Sequence, residues 1–129
     1  MKSEIQAISL GDKNYFSVVT GRPVSPKDDT LWGNSMPWVV PADIPTQQSI
    51  ARIKQTRKQL SSIGVETQTV RTLPKESIII LRSGFPHNIG KVAITNVPCC
   101  ISQYFYGIIL LDQKTFIPEF VAYMIAGLR

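Results

Sequence analysis

Leu31-Trp32-Gly33-Asn34-Ser35-Met36-Pro37-Trp38-Val39-Val40-Pro41-Ala42-Asp43-Ile44 carries both tryptophans and two of the nine prolines of the 129-residue chain. The stretch is neither helix-periodic nor alternating. It therefore reads as a fixed, aromatic-pinned loop feeding a short strand, with Trp32 and Trp38 as packing anchors and Val39 and Val40 extended behind them. A base-stacking role for the two indoles is the weaker reading, because a loop bounded by proline must be held by packing.

Outward from this segment the chain reads as mostly β. Tyr15 to Val19 is aromatic and β-branched and stops at Thr20-Gly21, and Pro23 and Pro26 forbid a ladder or helix across the next loop. The opening residues, Ile5 to Leu10, read as an extended lead. Gln47 to Thr56 is open between helix and strand. Thr56 is expected to cap a short helix over residues 57–63 that Gly64 closes in the left-handed conformation, followed by a solvated strand from Val65 to Thr72. After the turn Pro74-Lys75-Glu76, the run Ser77-Ile78-Ile79-Ile80-Leu81 predicts a strand buried on both faces at the centre of the sheet. Lys91 to Thr95 returns as its neighbour after a turn-rich loop. Cys99 to Leu111 adds further β sequence, with a bulge or close backbone approach at Gly107. Ile117, Phe120, Val121, Met124, Ile125 and Leu128 recur at helical spacing, with Pro118 in the first turn and Glu119 at the positive end. The expected fold is an α/β (α+β) single domain over residues 1–129, with a mixed, mostly antiparallel sheet, a short helix and a C-terminal amphipathic helix.

Composition bounds the function. A chain of this length forms one domain, and 43% apolar residues argue against disorder. No apolar run approaches the roughly 20 residues of a spanning helix, and the first residues lack a signal peptide, so a cytoplasmic location and no membrane partner are expected. Adjacent Cys99 and Cys100 would point to opposite faces of an extended segment, which fits reduced, structural thiols. With His87 the only histidine, no zinc site of ordinary spacing can be assembled. His87 joined to Cys99, Cys100 or a serine would be a nucleophilic pair, but no nucleophile elbow, phosphate-cradling glycine loop or Asn/Asp-Pro-Pro-aromatic methylation signature accompanies it. The reading is a non-enzyme without a cofactor.

A formal charge of +5 favours a polyanionic partner. Arg52, Lys54, Arg57 and Lys58 fall within one acid-free segment. The Thr20 to Lys27 loop offers Thr20, Arg22, Ser25 and Lys27, and the Arg82 to Lys91 loop offers Arg82, Ser83, His87, Asn88 and Lys91. Cations and small polar groups of this kind hold phosphates, and arginine, lysine and amide side chains read base edges. A merely solvated basic face is the alternative for any one cluster.

Several blocks resemble the target recognition domain of type I restriction-modification specificity subunits. They are Gly21-Arg22-Pro23-Val24-Ser25, Trp-Gly-Asn-x-x-Pro-Trp-Val at Trp32 to Val39, and Pro-x-Asp-Ile at Pro41 to Ile44. Downstream, Lys58 to Gly64 matches a short helix-like stretch, and Leu73-Pro74-Lys75-Glu76-Ser77-Ile78-Ile79-Ile80 matches a Leu-Pro-x-Gly-strand block. Ile89-Gly90-Lys91-Val92-Ala93-Ile94 matches Gly-x-Val-Ala-Ile, and Ser102-Gln103 stands where Asn-Gln is usual. The resemblance implies sequence-specific binding of double-stranded DNA that directs partner methyltransferase and restriction subunits. It also implies that Gln103 is a loop-pinning amide. A full specificity subunit has two such domains and long helical spacers; this sequence carries one domain and no spacer heptads, which implies a truncated, split or free-standing module. The competing reading is a protein-interaction module, a decoy or regulator of such a complex that does not read DNA.

Overall fold

The computed structural model describes residues 15–45, 50–83 and 90–127. The expected lead at Ile5 to Leu10, Leu128, and the loop residues His87 and Asn88 lie outside the described residues. Among the described residues, eight strands are β1 (Phe16–Thr20), β2 (Trp32–Val39), β3 (Ile50–Ile53), β4 (Lys58–Leu60), β5 (Ile78–Leu81), β6 (Val92–Thr95), β7 (Cys100–Ile101) and β8 (Phe105–Leu110). Two α-helices among them are α1 (Ser62–Thr67) and α2 (Pro118–Ala126).

The strands form two sheets where one was expected, a five-stranded sheet in the order β1-β8-β5-β6-β3 and a three-stranded sheet β4-β2-β7. Pairing is antiparallel except for β3 with β6 and β2 with β7. β5 is central, as its apolar run predicts. Its alternate side chains enter two different cores: Ile79 and Leu81 pack with Val39, Ile53, Leu73, Cys99, Ile101 and Phe105 between the sheets, whereas Ile78 packs with Phe16, Ile94, Phe116, Val121 and Ile125 under α2. A third, smaller cluster of Trp38, Leu60 and Cys100 covers the outer face of the small sheet. The result is three layers, helix on sheet on sheet, each interface closed by period-two alternation.

The second sheet exists because the segment Trp32 to Val39 is a strand and not a loop. Its register breaks between Trp32 and Met36, both of which oppose Leu60. That bulge absorbs the irregular sequence around Gly33. Pro37 is tolerated because neighbouring amides alternate sides along a strand. Trp38 N–H donates to Thr56 Oγ1 on the β4 side (3.3 Å), so the Pro37 nitrogen faces the side where β7 has yet to begin.

The expected helix over residues 57–63 is likewise corrected. Thr56 is a turn residue, its hydroxyl donating to Lys58 O (2.6 Å), and Lys58 to Leu60 pairs with β2. Helix α1 begins later, capped by Ser61, whose Oγ accepts from Gly64 N (3.0 Å) and donates to Thr30 O (2.6 Å). Gly64 lies inside this helix. A Cβ there would sit 2.2 Å from Leu31 O, so the glycine serves close backbone approach and not a left-handed cap. No strand forms over Val65 to Thr72. Gly107 is also a close approach, but to the side chains of Leu73 and Ile101 within a regular ladder.

α2 starts with Pro118 in its first turn, as expected, and buries Val121, Ala122 and Ile125 while Phe120 and Ile117 stay exposed. Asp112 shapes the turn before it, accepting from Lys114 N, Thr115 N and Thr115 Oγ1, and these bonds hold its carboxyl below its usual value. Among the described residues, no helix is long and apolar enough to cross a membrane.

Candidate nucleic-acid interface

The pairing of the large sheet dictates where the functional loops meet. β8 runs antiparallel to both β1 and β5, with Thr20 opposite Tyr106 and Leu81 opposite Phe105. The ends of β1 and β5 therefore both arrive beside the start of β8. The residues that follow, Arg22 and Arg82, emerge at one edge of the molecule next to the β7–β8 turn that holds Gln103. Gly21 brings them close: its N–H donates to Phe105 O (3.0 Å), and a Cβ on it would fall 1.7 Å from Ser102 O. Only glycine allows the chain to cross the turn at this distance.

These segments wall an open groove of about 680 Å³ lined by Val18, Val19, Thr20, Gly21, Arg22, Pro23, Thr69, Arg71, Arg82 and Gln103. Among the described residues, three arginines line it and no acid does. Arg71 and Thr69 come from the connection after α1, where sequence reading placed a solvated strand and missed both. Thr69 has φ 55, an uncommon conformation for a β-branched residue, and it turns this connection along the groove. Arg82 is held twice. Its Nε donates to Gln103 O (2.8 Å), and its guanidinium lies 5.0 Å from the centre of the Tyr106 ring.

A second groove, of about 310 Å³, shares Gln103 and continues over Val24, Pro26, Trp32, Trp38, Val40, Arg57, Lys58, Ser102 and Tyr104. Trp38 is 4% exposed and meets Trp32 edge to face at 5.9 Å between ring centres. Trp32 Nε1 donates to Ser25 O (2.9 Å), and Lys58 Nζ rests 5.1 Å above the Trp32 ring. Asp43 closes the frame: one carboxylate oxygen accepts from Val40 N (2.9 Å) and the other from Arg57 N (3.1 Å), joining the end of β2 to the approach to β4. That double bond to main chain is the physical use of the Pro-x-Asp-Ile block.

The other predicted residues divide. Thr20, Arg22, Arg82, Arg57 and Lys58 reach the two grooves. Ser25 and Lys27 are exposed on the loop beside the second groove, Lys54 is exposed outside both, and Ser83 is half-buried. Arg52 is separated from its sequence neighbours. It projects from β3 toward α2, donating to Asn96 Oδ1 (2.6 Å) and pairing with Glu76 (3.2 Å) and Glu119. The four-cation cluster of the sequence is thus not one surface, because β3 and β4 belong to different sheets. Lys91 is buried, 8% exposed, at the start of β6, which takes it off the expected rim. Burial raises the Cys99 thiol from 9.0 to about 12, and the Cys100 thiol is raised by burial against an opposing bond from Thr72. The two thiols sit in different cores and neither lines the large groove. Among the described residues, no group of three or more His, Cys, Asp or Glu side chains could hold a metal ion.

A specificity subunit of the type I restriction enzyme MjaIX from Methanocaldococcus jannaschii is 30% identical to this chain over 112 residues, which cover 87% of the chain. The chain is similar to one segment of that type I restriction specificity subunit. It spans 24% of that relative's length. The same fold occurs in the HsdS subunit from Thermoanaerobacter tengcongensis, with a TM-score of 0.62 and 18% identity over 89% of this chain and 26% of that one. A chain from a solved type I restriction-modification system matches with a TM-score of 0.61 and 17% identity over 88% of this chain and 25% of that one. No family model matches. At these identities the two structures establish the fold alone, which among the described residues is one of mixed sheets and two α-helices.

Proposed function

We propose that this chain is a target recognition domain that binds double-stranded DNA in a sequence-directed manner, for methyltransferase and restriction subunits that supply the chemistry. In this reading it is a single, non-catalytic, cytoplasmic module that needs no cofactor. The observation that carries the proposal is the groove that Arg22, Arg71 and Arg82, from three separate segments, line together with Gln103 and, among the described residues, without an acid. Arginine forks and a carboxamide are the side chains suited to base edges, and the neighbouring Arg57 and Lys58 supply phosphate-holding charge. The likeness to specificity subunits supports the same reading.

Fluorescence anisotropy with duplexes of mixed sequence at two salt concentrations tests it. Affinity should fall steeply with salt, and replacing Arg22, Arg71 and Arg82 together by alanine should lower both the affinity and the slope of its logarithm against the logarithm of salt. A chain that ignores duplexes at low salt would instead be an interaction module.

A further inference from the structure

Within the reading of this groove as a DNA site, we infer that Arg82 is a base-reading residue whose ligand is a guanine presented in the major groove. Arg82 is distinguished by how its guanidinium is held. The backbone at Arg82 is fixed by its N–H donating to Tyr104 O (2.8 Å). The side chain is then oriented by the Nε bond to Gln103 O and by the face of Tyr106. A guanidinium presents two hydrogen-bonding edges. Spending Nε on a main-chain carbonyl fixes the plane and turns the other edge, the Nη1 and Nη2 pair, into a preorganised fork. Two parallel donors at that spacing match the O6 and N7 acceptors of guanine, and no other base offers two acceptors there. A phosphate would accept the same fork, and the two ligands are separated by the acceptor atoms that each presents, N7 on guanine and the non-bridging oxygens on phosphate. Gln103, tied to Arg82 through its carbonyl, lines both grooves and limits where that base can stand.

The test uses the 129-residue chain. Duplexes are selected from a random library, and each guanine of the selected sequence is then replaced in turn by 7-deazaguanine, which lacks the N7 acceptor, while each phosphate is separately replaced by methylphosphonate. The expected result is one guanine at which the deaza substitution weakens wild-type binding by on the order of tenfold, with that loss absent in Arg82→Met, which keeps an unbranched side chain but has no donor for N7. Salt-dependent binding with the same deaza profile in wild type and Arg82→Met would overturn the assignment and leave the DNA-binding function standing. So would a methylphosphonate, and no guanine, as the position whose effect Arg82→Met removes. Absence of salt-dependent duplex binding by the wild type would overturn both. Circular dichroism of Arg82→Met confirms that the comparison is between folded proteins.

Discussion

Glu76 occupies the place where the Leu-Pro-x-Gly block carries glycine, and its φ of 64 explains why glycine suits that place. A side chain in the left-handed region costs roughly 1 to 2 kcal/mol. What Glu76 gains in return is a pair with Arg52 in which the side chains are 29% and 33% exposed. Such a partly solvated pair contributes at most about 1 kcal/mol. Glu76→Gly should therefore leave stability within about 1 kcal/mol of wild type, whereas Glu76→Ala, which keeps the backbone cost and loses the pair, should melt at a lower temperature than either. Thermal denaturation of the three proteins gives the order. Cys99 supplies a pH dependence. Its folded value lies above its ordinary value, so the stability it contributes is complete below about pH 9 and is lost as pH rises toward 12. Urea denaturation from pH 8 to 11 should show a steeper alkaline decline for wild type than for Cys99→Ala.

At the level of elements, Gly21 joins β1 to the β7–β8 turn. Gly21→Ala places a methyl group within 1.7 Å of Ser102 O, so strand and turn must separate. A loss of about 2–4 kcal/mol is expected, measured by urea denaturation, together with weaker duplex binding as Arg22 and Gln103 move apart. The same elements show what sequence can disclose. β1, β5, β6, β8 and α2 were legible because each has one dominant period and clear stops: Thr20-Gly21, Pro74, Pro98 and Pro118. β2 was not, since its pairing depends on a bulge and on the distant partners Leu60 and Cys100, which leave no local period. The helix before Gly64 was placed too early because glycine reads locally as a cap, while here it answers to Leu31 across the fold. Of the arginines that line the groove, Arg22 and Arg82 were named from loop chemistry. Arg71 was not, because only the path set by α1 and Thr69 brings it to the groove.

Over the whole molecule, the proposed binding and the stability rest on different atoms. The cores hold the apolar strand faces and α2, while Arg22, Arg71 and Arg82 are exposed at one end of the large sheet. The triple alanine variant proposed to weaken duplex binding should thus keep its unfolding free energy within about 1 kcal/mol of wild type, which chemical denaturation measures directly. Arg52 serves the scaffold instead, since its bonds run to Asn96, Glu76 and Glu119 of the same fold at a partly solvated surface. Gly21, which lines the groove, offers main chain held against Ser102 and Phe105, whichever side chains stand around it. Such a division favours evolvability: the side chains at Arg22, Arg71, Arg82 and Gln103 can be exchanged without threatening the scaffold, so under the proposed function new preferences arise by small steps.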